Sequence, residues 1–153
     1  MNFKDKKEEF FDRLGESCYM VLASCLNDYP MASMMTCLVY DGAIWVQTDK
    51  NFPKYQQISH NPKVALCKDA TQIEGEAVFC GSPLDESNAK FARLLQKYHR
   101  ESFEMYSKVP TEVVIKIRPT KVTDWLYEAG SSEIIHLNFE NETVLVEQYK
   151  NSK

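Results

Sequence analysis

The sequence predicts a mainly β protein with flanking helices, in which six to eight mostly antiparallel strands close into a small barrel. Three observations carry this expectation. Short apolar or alternating runs recur along the chain, separated by tight-turn signals such as Asn27-Asp28-Tyr29-Pro30 and Asp41-Gly42. Helical patterns appear at a few connections only, not between every pair of strands as a parallel α/β sheet requires. The 153 residues, 44% hydrophobic and 12% aromatic, suffice for one domain (residues 1–153) with a core that needs neither disulfide nor metal.

In chain order, Phe3, Phe10, Phe11 and Leu14 recur at helical spacing with charges on the other face, and Gly15 suits the C-terminal cap. Ser17–Leu26 is almost free of charge, which fits a strand covered on both faces or a short buried helix. The turn signal directly after it favours the strand. Met31–Tyr40 and Ala43–Thr48 are the next strands, joined at Asp41-Gly42, so the first three make an antiparallel meander. Phe52, Tyr55 and Ile58 mark a short amphipathic helix that stops at Asn61-Pro62. Lys63–Lys68 and Gln72–Cys80 follow as strands, with Gly75 indicating a bulge or a close backbone approach.

A longer helix is expected from a cap at Ser82 or Asp85 to about Glu101, with Phe91, Leu94, Leu95 and Tyr98 on its apolar face. Val113, Ile115 and Ile117 alternate with Val114, Lys116 and Arg118 in a strand after Pro110. Lys121–Glu128 forms another, with Trp125 and Tyr127 on one side, and Thr143–Tyr149 the last.

Charge and targeting signals exclude several functions. Eighteen Lys+Arg against 22 Asp+Glu give a net charge of -4 without a basic segment, which argues against nucleic acid or an anionic membrane as partner. The start MNFKDKKEEFFDR has no apolar h-region, so no secretory leader is expected. No window approaches the ~18 apolar residues of a membrane span. Cys18, Cys25, Cys37, Cys67 and Cys80 are odd in number, never form C-x-x-C, and lie in apolar runs. Reduced, buried thiols in a cytoplasmic protein are the expectation.

Chemistry-bearing motifs are scarce. His60, His99 and His136 are the only histidines and none pairs at ligand spacing, so no metal site is expected. No G-x-S-x-G, Walker or G-x-G-x-x-G motif occurs. The segment Val46–Pro62 stands out: a strand ends at Thr48, a short loop follows, and Lys54 sits near a helix start. Two readings of it stand on the residues alone. A hydroxyl, an ammonium and the unpaired N–H groups of a helix N-terminus make a phosphate pocket without a glycine-rich loop. Alternatively, Thr48 caps the loop and Lys54 is solvated.

The runs S-C-Y-M-V-L-A-S-C-L-N-D-Y-P-M-A-S-M-M, D-G-A-I-W-V-Q-T, P-K-Y-Q-Q-I-S-H-N-P-K-V-A-L and I-E-G-E-A, taken together and in this order, add a further argument. Through them the chain resembles the pyridoxamine 5'-phosphate oxidase-like FMN-binding split-barrel family, especially its general-stress and nitroimidazole-resistance-related branch. The likeness covers Glu16 to Phe79 and reaches Trp125 more loosely. It implies a split barrel, FMN as cofactor, and a homodimer with the cofactor site at the subunit interface. A small-molecule substrate follows, with NAD(P)H as a candidate donor and flavin-borne hydride or electron transfer as the activity.

By position, the resemblance puts Ser33, Met34, Met35 and Thr36 beside the flavin ring. Gln47 and Thr48 fall at the strand end that meets ring and ribityl phosphate, Lys54 at the phosphate lysine, and Gln57 one helical turn on. Trp125 matches an aromatic that covers the cofactor from the neighbouring subunit. For Trp125 and the methionines, ordinary core packing is the competing reading.

Two departures qualify what is carried over. Pyridoxamine-phosphate oxidases have a phosphate-holding arginine on the second strand where this chain has Ser33 or Met34, and serine cannot replace a guanidinium fork. Their C-terminal arginine–histidine substrate motif meets A-G-S-S-E-I-I-H-L-N-F here, which offers His136 and no arginine. Both argue against oxidation of a pyridoxamine phosphate, and the first for weaker FMN affinity. Gln72 is a loose match to a family glutamine. The alternatives are a non-catalytic flavin- or heme-binding dimer with a stress-related role, and a structural or regulatory dimer with an empty barrel.

Overall fold

The computed structural model describes residues 2–128 and 131–149. Helix α1 (Phe3–Leu14) is capped by the Asn2 side chain, which accepts from Asp5 N, and ends at Gly15 with φ 71. Strands β1 (Ser17–Leu26), β2 (Tyr29–Tyr40) and β3 (Ala43–Asp49) form the expected meander. The first turn is tighter than the four-residue signal suggests. Asn27 and Asp28 both have positive φ, as a type I′ turn requires, and Leu26 already pairs with Tyr29. Asp41 and Gly42 repeat this geometry.

Helix α2 (Pro53–His60) crosses to β4 (Lys63–Lys68) and β5 (Thr71–Phe79). Gly75 sits at a bulge, where an added Cβ would meet Arg118 O at 2.8 Å and Ile117 Cγ2 at 2.9 Å. The expected single helix after Ser82 is instead broken. A 3₁₀ turn (Glu86–Asn88) leads into α3 (Ala89–Tyr98), His99 interrupts it, and a short turn at Arg100–Ser102 runs into a π-helical turn, Phe103–Ser107. Neither Ser82 nor Asp85 caps α3: Asp85 Oδ2 accepts from Ser82 N, and Ser82 Oγ accepts from Leu84 N.

The two strands expected after Pro110 are one 17-residue strand, β6 (Glu112–Glu128). Pro119 does not break it because the position lacks the usual partners. On one side it faces the bulge at Gly75; on the other, pairing to β3 stops at Ile117 and pairing to β7 begins at Lys121. Strand β7 (Ser131–Asn138), which the sequence reading missed, joins β6 to β8 (Thr143–Tyr149).

The sheet order is β3-β2-β1-β4-β5-β6-β7-β8, and an added β3–β6 pairing closes the first six strands into an antiparallel barrel. Met20, Leu22, Ile44, Val46, Leu66, Ile73, Ile115 and Ile117 fill it, each no more than 1% exposed. Burying such a side chain contributes roughly 1.5–3 kcal/mol. Phe10 and Leu14 bring α1 onto the same core. A second cluster packs Phe91, Leu94 and Leu95 of α3 against Leu38 and Val114 on the outer face.

All five cysteines are free, but only Cys37 is buried, and Cys67 is exposed. An apolar run does not bury every member of a strand whose side chains alternate between two faces. Among the described residues, no helix is long and apolar enough to cross a membrane, and no group of three or more His, Cys, Asp or Glu is placed to hold a metal.

Candidate functional site

Strands β2 and β3 pair only from Leu38 to Tyr40 on β2 and from Ala43 to Trp45 on β3. Beyond that they splay, because β3 continues along β6 while β2 follows β1. The gap is a cavity of about 200 Å³ whose walls include Met34, Met35 and Thr36 from β2 and Gln47 and Thr48 from β3. Lys54 of α2 also lines it. These six residues come from three successive elements and were expected to share a site; the strand splay brings them together.

The other walls were not foreseen as site residues. Phe52 precedes α2, Phe91 and Leu95 come from α3, Ser102 and Tyr106 from the turn beyond it, and Glu112 from the start of β6. Phe91 and Leu95 carry an amphipathic signal that reads simply as core. Tyr106 lies in a π-helical turn, for which the sequence has no recognisable pattern. Glu112 precedes a clean strand and gave no sign of its neighbours.

Lys54 follows Pro53, the first residue of α2, and Phe52 gives that helix no side-chain cap. The ammonium is half-buried, 3.0 Å from Met35 Sδ, and burial lowers its pKa. Among the described residues it has no carboxylate partner within salt-bridge distance, and the buried Thr48 hydroxyl has no hydrogen-bond partner. A cation and a hydroxyl left open on one cavity are a donor set for an anion. Glu112, 8% exposed, would oppose this if ionised. Burial first, and the Asp49 carboxylate second, push its pKa up to about 7. Near neutrality a large share of it therefore keeps its proton and can donate.

Three of the expected residues stand elsewhere. Ser33 is half-buried outside the cavity walls, its Oγ 3.8 Å from Met35 Sδ. Gln57 is buried and both ends of its amide are engaged. Its Oε1 accepts from Ser24 Oγ at 2.6 Å, and its Nε2 donates to Tyr29 O at 3.0 Å, which ties α2 to the β1–β2 hairpin. Trp125 lines a different cleft, with Arg13, Lys68 and Leu126. It lies beside Tyr127 and Tyr149, with ring centroids 6.1 and 6.0 Å away.

The family profile described as pyridoxamine 5'-phosphate oxidase matches residues 6–126. No curated protein sequence matches the chain. Among solved structures, General Stress Protein 26 from Bacillus anthracis str. Sterne is 24% identical, with TM-score 0.56, covering 80% of this chain and 92% of that one. A pyridoxamine 5'-phosphate oxidase-related, FMN binding protein from Nostoc punctiforme PCC 73102 is 15% identical, with TM-score 0.60 and coverage of 97% and 95%. HutZ, the heme storage protein from Vibrio cholerae, is 13% identical, with TM-score 0.60 and coverage of 78% and 91%. At these identities the structures bear on the fold, whereas the profile spans most of the chain and the whole closed barrel. The chain belongs to the pyridoxamine 5'-phosphate oxidase family.

Proposed function

We propose that the cavity between β2 and β3 is an FMN site completed by a second copy of the chain, and that the protein is a flavoprotein passing hydride or electrons to a small molecule. Lys54 carries the reading: a half-buried ammonium without a carboxylate partner among the described residues, at a helix start, beside an open hydroxyl. A phosphate monoester supplies the missing anion. Met34, Phe52 and Tyr106, respectively 64%, 53% and 49% exposed, offer apolar surface to a flat ring. FMN is the ligand named for the Nostoc relative.

A single chain provides only about 200 Å³ here, below the roughly 300–1,000 Å³ usual for small-molecule sites. The Trp125 cluster supplies a matching surface elsewhere, since Tyr127 is 70% and Tyr149 55% exposed. In the homodimer we propose, the neighbour's Trp125 covers the flavin. Bound FMN supplies the redox chemistry. The chain's own residues hold and shield it: Lys54 and Thr48 at the phosphate, Gln47 as a polar contact, Met34 and Phe52 against water. Ser33 adds no charge to the phosphate end, so affinity depends on Lys54 more heavily than where an arginine stands there. The five free thiols suit the cytoplasm, where we place the protein.

Heme is the competing ligand, as in the Vibrio relative. The cavity walls include no histidine, which favours flavin. The absorbance spectrum of native protein, with mass identification of whatever is released on denaturation, decides between them. Flavin absorbance, or saturable quenching of added FMN at one per chain in a sedimenting dimer, supports the proposal. A Soret band with no FMN binding rejects it.

A further inference from the structure

The π-helical turn Phe103–Ser107 makes one polar contact with the cavity wall. Ser107 is fully buried, at 0% exposure, and its hydroxyl donates to Gln47 Oε1 at 2.9 Å. Gln47 lies on β3 opposite Val114 and is half-buried, so its backbone is set by the barrel while its side chain reaches the cavity. An amide has an accepting end and a donating end. With the oxygen held by Ser107, the free end is Nε2, which has no hydrogen-bond partner among the described residues.

The π turn is what makes this contact possible. Its wider winding follows the break at His99 and turns Ser107 inward beneath the exposed Met105 and Tyr106. Glu112 then starts β6 close behind, with its N–H bonded to Val109 O at 3.0 Å. Val109 N–H in turn donates to Tyr106 O at 3.0 Å, so the turn is linked both to the wall and, through Val109, to the strand that follows.

We propose that Ser107 is a positioning residue: it locks the Gln47 amide with its N–H₂ group towards the cavity, so that the site selects a ligand presenting a hydrogen-bond acceptor at that wall. This rests on the flavin reading, in which the acceptor is a carbonyl, ring nitrogen or ribityl oxygen of FMN. Without the hydroxyl the amide turns freely, and its oxygen faces the acceptor as readily as its nitrogen.

The test is a double-mutant cycle on the full chain, read by fluorescence quenching of added FMN, with thermal melting recorded for each variant. Ser107→Ala is expected to weaken FMN about threefold and Gln47→Ala about tenfold, while Ser107→Ala in the Gln47→Ala background costs nothing further. Gln47→Glu, which keeps the acceptor for Ser107 but loses the N–H₂ donor, should bind as poorly as Gln47→Ala. Ser107→Thr, which keeps the hydroxyl, should retain most of the affinity; Ser107→Cys, which keeps the size but has only a weak S–H donor, should lose about as much as the alanine variant and stands in if that variant does not fold. Equal losses from Ser107→Ala in both backgrounds, or undiminished affinity in the single variant, overturn the positioning role while Lys54-dependent binding leaves the flavin reading intact. No saturable FMN binding by the unmutated protein overturns both.

Discussion

Asp49 and Glu112 face each other across the β3–β6 pairing, two carboxylates in register at the end of the ladder, and Glu112 is the buried one. The barrel closure that joins β3 to β6 is what forces them together. Desolvation and the neighbouring charge raise the Glu112 pKa from 4.5 to about 7. Between those values the folded chain holds a proton that the unfolded chain releases, so stability falls as pH rises through this window.

The first prediction follows from that pair. Glu112→Gln should gain stability relative to the unmutated protein as pH rises from 4.5 to about 7, by roughly 1–3 kcal/mol, seen as a rise of several degrees in Tm. Ionised Glu112 also repels an anion that Lys54 attracts. FMN should bind several-fold more weakly at pH 8.5 than at pH 6.5, and Glu112→Gln should flatten that dependence. Fluorescence titrations and melts across the pH range check both parts.

Removing the cation separates phosphate binding from ring binding. Lys54→Met should weaken FMN by about 10- to 100-fold while leaving riboflavin, which has no phosphate, nearly unchanged. Because the ammonium is half-buried beside Met35 Sδ, with no carboxylate partner within reach among the described residues, the fold should lose nothing, and Tm should hold or rise slightly. Parallel titrations with the two flavins check this.

The missing arginine can be put back. Ser33 is in van der Waals reach of Met35, whose sulfur touches Lys54, so a longer side chain at position 33 starts near the phosphate end. Ser33→Arg should tighten FMN by about tenfold, through bidentate phosphate contact, and should leave riboflavin affinity unaltered. Unchanged FMN affinity would mean that the phosphate lies away from position 33.

Gly75 tests the barrel rather than the site. Its added Cβ would fall 2.8 Å from a backbone oxygen, and backbone on a paired strand yields little. Gly75→Ala should destabilise by about 1–3 kcal/mol, seen as a lower denaturation midpoint with the slope unchanged.

Much of the fold was legible because local patterns were strong. Asp41-Gly42 marked a hairpin, Asn61-Pro62 ended a helix, and Gly75 marked its bulge, each by backbone chemistry confined to a few residues. Local reading failed where distant strands decide the outcome. The two strands expected after Pro110 run on as one through Pro119, which has no N–H to donate and falls opposite the Gly75 bulge, between the β3 and β7 pairings. The run at Ser131–Asn138 reads as a strand only once β6 offers it an edge. The family resemblance groups Gln57 with the cofactor residues, but the β1–β2 hairpin captures both ends of its amide.

The sequence by itself determined the strand-and-turn order through β5, the family, and the presence of a strand-end hydroxyl and a helix-start lysine in one short segment, because turn residues, alternation and helix ends act within a few positions. Only the tertiary structure decided that β2 and β3 splay to open a cavity, that Glu112 joins it beside Asp49, and that Ser107 reaches Gln47. Those depend on the closure of β3 onto β6 and on the packing of α3, which bring together side chains some 60 residues apart and change their solvation, and with it their charge.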